Sequence, residues 1–146
     1  MRAFFLLSRI SLKGGFELKI KLTSLMVDDQ DKALTFYTTV LGFKKKNEIP
    51  MGPYRWLTVI SPEDPDGAEL SLEPNANPAG REFQQAMFAQ KIPMAAFQVD
   101  HLEGEVTRLR KQGVVFVTEP FDAGGVNLAI VSDTCGNLIQ LYQPKA

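Results

Sequence analysis

The chain has 146 residues, 45% of them hydrophobic, and a formal net charge of -1. That suffices for one well-packed core, and the dispersal of lysines and arginines among acids leaves no basic stripe for nucleic acid. No apolar run approaches the ~20 residues that span a bilayer, and the single cysteine, Cys135, excludes an intrachain disulfide and a cysteine-rich metal knuckle and fits a reducing cytoplasm.

The opening stretch MRAFFLLSRISLKGG carries an apolar core shorter than the ~7–15 residues of a secretory signal, and a second arginine follows soon after. Residues 1–18 are therefore expected to be an extension, with AFFLL available for a contact between two copies, ahead of a first core strand that begins near Leu18.

Beyond that point the chain repeats itself. Laying LTSLMVDDQDKALTFYTTVLGF over MAAFQVDHLEGEVTRLRKQGVVF sets Val27-Asp28 on Val99-Asp100 and Gly42 on Gly113. RWLTVISPEDPDGAELSLEP matches NLAIVSDTCGNLIQLYQP in the same way, with Gly67 over Gly136. The repeat predicts one domain over 19–144, made of modules at 19–74 and 92–144 joined by a linker with a short helix over 75–91.

Each module has the same order of elements. Extended runs at 22–27 and 94–99 end at Asp28 or Asp29 and at Asp100, side chains suited to accept hydrogen bonds from the first turn of a helix. Ala33, Leu34, Tyr37, Val40 and Leu41 recur at helical spacing, as do Leu102, Val106 and Leu109, and Gly42 and Gly113 supply the left-handed residue that ends each helix. Three extended runs follow in each module, at 43–48, 55–60 and 68–73 and at 114–118, 126–131 and 137–142. Between the modules, REFQQAMFAQ predicts the connecting helix. The fold class is α+β, with βαβββ occurring twice.

This pattern resembles the vicinal oxygen chelate superfamily, which includes glyoxalase I, extradiol dioxygenases, and bleomycin and fosfomycin resistance proteins. The residues that carry the resemblance are VDDQDKALTFYTTVLGF, RWLTV, DTCGNLIQLYQP and the repeat itself. The resemblance implies two modules whose mixed sheets curl into a cup, and a divalent metal held by four strand residues in the family's enzymes. Carried over by position, those four fall on Leu22, Ser71, Met94 and Gln140. Zinc, iron and manganese sites are built mostly from imidazole and carboxylate, so no metal or other cofactor is expected. The sole histidine, His101, belongs to the turn before the second helix, as a surface or capping residue.

Strand alternation extends the lining of the cup. Leu22, Ser24 and Met26 share a face, as do Glu69, Ser71 and Glu73; Met94, Ala96 and Gln98 follow in the second module with Leu138, Gln140 and Tyr142. The opposite residues, Leu25, Val27, Leu70, Leu72, Phe97, Val99, Ile139 and Leu141, are uniformly apolar and predict the core. Such a lining suits a small organic molecule. Glu69 and Glu73 flank Ser71, where they favour a cationic ligand and, by mutual repulsion, a raised pKa fit for a general base. PMGPYRW reads as a rim loop in which Trp56 stacks on ligand.

Three functions fit these residues: a metal-free small-molecule binding protein; a lyase, isomerase or dioxygenase-like enzyme using an acidic base or a displaced metal; and a dimeric structural or regulatory module with a filled cup. The architecture implies a homodimer, with no nucleic-acid or membrane partner.

Overall fold

The computed structural model describes residues 15–146. The AFFLL segment assigned to a contact between copies lies outside the described residues. Two four-stranded mixed sheets are present. Strand β1 (Leu22–Val27) leads into helix α1 (Gln30–Thr35), then β2 (Lys44–Met51), β3 (Tyr54–Ile60) and β4 (Glu69–Pro74), in sheet order β1-β4-β3-β2. Helix α2 (Pro78–Ala89) crosses to the second module, where β5 (Ala95–Gln98), α3 (Leu102–Lys111), β6 (Phe116–Asp122), β7 (Val126–Ser132) and β8 (Leu138–Pro144) give the order β5-β8-β7-β6. In each sheet the first strand runs parallel to the last, and the other neighbours are antiparallel. Among the described residues no helix is long and apolar enough to cross a membrane.

Helix boundaries follow the caps in part. Asp29 accepts the Lys32 amide at 3.0 Å, and Gly42 and Gly113 take positive φ of 95° and 81° past the ends of their helices. Asp100 does not cap α3. His101 occupies that position without a side-chain bond, and the Gln143 side chain from β8 takes the Leu102 amide at 2.8 Å instead. Helix α2 begins at Pro78, earlier than REFQQAMFAQ suggests. Asn77 caps it from Ala79, and a proline at the first helical position forgoes an amide that has no intrahelical partner anyway.

Helix α1 widens at its end into a π-turn, Phe36–Val40, closed by Leu41 N–H to Phe36 O at 2.9 Å. The wider turn lets two consecutive aromatics, Phe36 and Tyr37, enter the core side by side. They form an edge-to-face chain that continues from Tyr37 to Phe97 of the other module and on to Phe43. The core is thus shared. Leu25, Val27, Leu57, Leu70 and Leu72 meet Leu102, Val106, Leu109, Ala129, Ile139 and Leu141 in one cluster, with Phe97 and Val99 packed against it. The alternation read from sequence holds, because a slip of one residue would turn Glu69, Ser71 and Glu73 into this cluster.

A buried polar network fastens the modules. The Asp133 carboxylate accepts from Tyr37 Oη (2.6 Å), the amides of Cys135 (2.7 Å) and Asn137 (2.9 Å), and Asn137 Nδ2 (2.8 Å). Asn137 Nδ2 also reaches Met26 O at 2.7 Å, Gln84 Nε2 donates to Met26 O and Asn137 Oδ1, and Asp28 N–H meets Cys135 O at 3.1 Å. Burial, reinforced by the Asp133 charge, pushes the Tyr37 hydroxyl well up and the Cys135 thiol up to about 12, so both stay protonated. Asp133→Ala strands the Tyr37 hydroxyl and the Cys135 and Asn137 amides in the interior, leaving Asn137 Nδ2 with Met26 O, and chemical denaturation is expected to show a loss of about 3 kcal/mol or more. Tyr37→Phe, which removes one donor from a satisfied carboxylate, should cost about 1.5–3 kcal/mol.

Candidate functional site

The face of each sheet turned away from the core is assembled by strand pairing. In sheet one, Leu22 stands beside Glu69, Ser24 beside Ser71 and Met26 beside Glu73; Ser71 stands beside Thr58, and Thr58 beside Asn47. Directly paired residues share a face, so a polar row of Ser24, Ser71, Thr58 and Asn47 crosses the sheet. Trp56, paired with Ile49, lies on the same face one step along β3. In sheet two, Ala96, Gln140, Ile130 and Thr118 form the corresponding row, and Gln98, Tyr142, Leu128 and Phe121 the next.

Nearly all the residues expected to line the cup therefore fall on these two faces. Leu22, Ser24 and Gln98 are exposed, Met26, Trp56, Glu69, Glu73, Gln140 and Tyr142 half-buried, and Ser71 buried. Met94 departs from the pattern, since it precedes β5 and is half-buried against the hydrophobic core. The pairing also places Ser24, not Leu22, beside Ser71, and Ala96 beside Gln140. Asn47, Thr58, Leu128 and Ile130 were not anticipated. Applying the same alternation to β2, β3 and β7 would have found them.

PMGPYRW is a tight hairpin, not an open loop. Gly52 and Pro53 form a two-residue hairpin turn between β2 and β3, with Gly52 at φ 61° and a proline that cannot follow it into positive φ, the arrangement of a type II′ turn. Trp56 lies in β3, as the extended run at 55–60 predicted. Arg55 points elsewhere, to Asp31 at 2.6 Å and Glu48 at 3.6 Å. Helix α2 bounds the sheet-one face at the Met26 end, because a side chain at Gly80 would meet Met26 Sδ at 2.7 Å.

Glu69 is tied down on this face. It accepts from Thr58 Oγ1 at 2.8 Å and Asn47 Nδ2 at 2.9 Å, with Lys46 Nζ at 3.5 Å. The Thr58 hydroxyl foremost, with help from Lys46 and Asn47, holds its carboxyl below the ordinary 4.5. The raised pKa expected from repulsion by Glu73 is overturned for Glu69, because donors surround the charge that a like neighbour would have discouraged. Among the described residues Glu73 meets the Ser71 hydroxyl alone, at 3.5 Å.

Two hollows lie away from these faces. One, of about 180 Å3, opens beside Phe43, Val59, Leu70 and Phe97 on the core side, with Glu69 at its edge. The other, of about 360 Å3, separates the end of the π-turn from Gly113 and Val114.

A hydrocarbon, a hydroxyl, a thioether and an amide, at Leu22, Ser71, Met94 and Gln140, do not fit a divalent metal. Of the two carboxylates flanking Ser71, Glu69 is already committed to protein donors. Among the described residues no three His, Cys, Asp or Glu side chains gather.

The model of the Glyoxalase/Bleomycin resistance protein/Dioxygenase superfamily matches residues 19–141. The chain belongs to that superfamily. The uncharacterized protein YurT of Bacillus subtilis (strain 168) is 51% identical to it over 126 residues, 86% of this chain and 99% of that protein. Among solved structures, UcmS2 superposes with a TM-score of 0.75 at 30% identity, covering 87% of this chain and 98% of that one. TnmS3, an antibiotic binding protein from Streptomyces sp. CB03234, superposes with a TM-score of 0.71 at 26% identity, covering 90% and 99%. The superfamily's two-module architecture is thus present with a distinct set of residues at the carried-over positions.

Glu69 gives a pH test of this geometry. Its pKa is depressed in the folded protein, so the stabilisation it contributes is present above 4.5 and is lost as pH falls through the lower folded value. Thr58→Val removes the foremost cause. Carboxyl NMR titration should show the Glu69 midpoint rising toward 4.5 in that variant, and an unmoved midpoint would refute the assignment.

Proposed function

We propose that the protein binds a small organic molecule on the two sheet faces turned away from the core, without a resident metal. The observation that carries this reading is the composition of those faces. Trp56, Met26, Ile130, Leu128 and Tyr142 offer apolar and aromatic area, while Ser24, Ser71, Gln98 and Gln140 offer hydrogen bonds to orient a guest. The likeness to an antibiotic binding protein supports the same reading. Glu73, which has no close donor among the described residues, favours a cationic guest over an anionic one. A general-base enzyme is less well served, since Glu69 is held ionised by its neighbours.

Trp56 is the only tryptophan, so its emission reports directly on the sheet-one face. Titration with proflavine, a planar cation, is expected to quench Trp56 saturably, and with anilinonaphthalene sulfonate, a planar anion, more weakly. Glu73→Gln should narrow the gap between the two dyes several-fold. Indifference of Trp56 to both dyes at near-millimolar concentration would sink the proposal.

Elemental analysis of protein purified without chelator offers an independent check. Zinc, iron, nickel and manganese should each fall far below one equivalent. One equivalent of any of them, released by Gln140→Ala or Glu69→Ala, would restore the enzyme reading.

A further inference from the structure

Residues 16–22, Phe-Glu-Leu-Lys-Ile-Lys-Leu, alternate apolar and charged side chains, the pattern of a strand with one face buried. Yet Phe16 is 103% exposed, Leu18 97%, Ile20 87% and Leu22 47%. Only the last of them belongs to β1. Strand β4, the neighbour of β1, begins at Glu69, and the last bond between the two is Glu69 N–H to Lys21 O at 2.8 Å. Residues 16–20 precede β1 outside any strand, beyond this last bond to β4, and among the described residues nothing covers their apolar side chains. Drawn out as a strand, a segment of this pattern presents both an apolar face and an open backbone edge.

Charge selects what covers it. If two copies of the segment pair antiparallel across a two-fold axis, each residue faces one fixed position in the other copy, and the centre of symmetry decides which. Centred on Lys19 the pairing sets two lysines face to face between its two Glu17–Lys21 pairs, on Ile20 it sets Lys19 against Lys21, and on Glu17 it opposes two glutamates. A centre between residues would put apolar side chains against charged ones. Centred on Leu18, Glu17 faces the other copy's Lys19 on both sides of the axis, Phe16 faces Ile20, and Leu18 faces itself. Every pair in that register is complementary.

The backbone agrees. Lys21 O points toward β4, so along a continued strand the groups of Leu18, Phe16 and Ile20 point to the open edge, where a second copy can receive them. Glu17 and Lys19 then occupy non-hydrogen-bonded sites, in which facing side chains lie closest.

We propose that residues Phe16–Ile20 are a strand completed by the same segment of a second copy of this chain, paired antiparallel about Leu18. The two-stranded ribbon buries one apolar stripe per copy against its twin and neighbouring surface, and it forms a symmetric, self-limiting contact. It is independent of what the sheet faces bind.

The test uses the full chain in sedimentation and in amide hydrogen exchange resolved at residues 16–20, across micromolar concentrations. A dimer with concentration-dependent protection of these amides is expected. Glu17→Lys, which faces lysine with lysine twice, should weaken the dimer roughly tenfold, and Glu17→Lys combined with Lys19→Glu should restore it. Leu18→Pro, placed outside both sheets, should abolish dimerisation without changing the core's unfolding transition. A monomer at all concentrations, amides protected in a monomer, or a dimer indifferent to Glu17→Lys and Leu18→Pro would each overturn the proposal.

Discussion

The whole arrangement turns on one buried carboxylate. Asp133 sits in the bend before β8 with no exposure, and among the described residues each partner of its carboxylate donates to it. A charge in that position is tolerable only while its donors stay in place. Those donors are Tyr37 of the first module and the Cys135–Asn137 bend of the second, so the charge acts as a clamp between halves of a repeated chain. Gln84 adds α2 to the same clamp by reaching Met26 O, Cys135 O and Asn137 Oδ1. Without it the linker helix would have little reason to lie across the junction, because its own Phe83 and Phe88 remain exposed.

Because the clamp fixes both sheets through a shared core, their outer faces are fixed as well. This constraint matters more for the site than any single lining residue. Polar side chains on a strand face need not be mobile or solvated to be available. Thr58 and Ser71 are buried on the sheet-one face, and Asn47 and Glu69 are already engaged, so the face is preorganised rather than loose. Preorganisation also explains why Glu69 is unsuited to taking up a proton.

The sequence exposed what depends on periodicity and hid what depends on distance along the chain. Two βαβββ units, the glycines that end their first helices and the partition of each strand into core and outer faces all follow from local alternation, and they reappear in the structure. The Asp133 network does not follow, since Tyr37 and Asp133 are 96 positions apart and Asn137 and Met26 are 111. No local pattern announces such a partner. The π-turn escaped for a related reason: Phe36 falls outside the helical stripe of Ala33, Leu34 and Tyr37, and only packing against the aromatic chain beyond Tyr37 favours the extra residue. PMGPYRW misled because Gly and Pro signal both open loops and tight hairpins. The positive φ of Gly52 resolves that choice, and a sequence does not display it. For the candidate site, composition was legible and register nearly so, with Met94 and the Leu22-to-Ser24 step lost at strand ends where pairing is least constrained.

The two modules have kept one half of their likeness and abandoned the other. Their core faces match almost position for position, Leu70 with Ile139 and Leu72 with Leu141, because both must meet the same cluster. Their outer faces do not match. Ser24, Ser71, Thr58 and Asn47 in sheet one correspond to Ala96, Gln140, Ile130 and Thr118 in sheet two, a wholly polar row against one that is half apolar. The hydrogen-bonding groups are thus distributed unevenly, in one unbroken row on sheet one and interspersed with Ala96, Ile130 and Leu128 on sheet two. A binding surface of that kind discriminates by orientation as well as by size, since reversing the guest would leave the polar row of sheet one without partners and desolvated. Duplication supplies the scaffold in such a case, and selectivity arises where the copies differ.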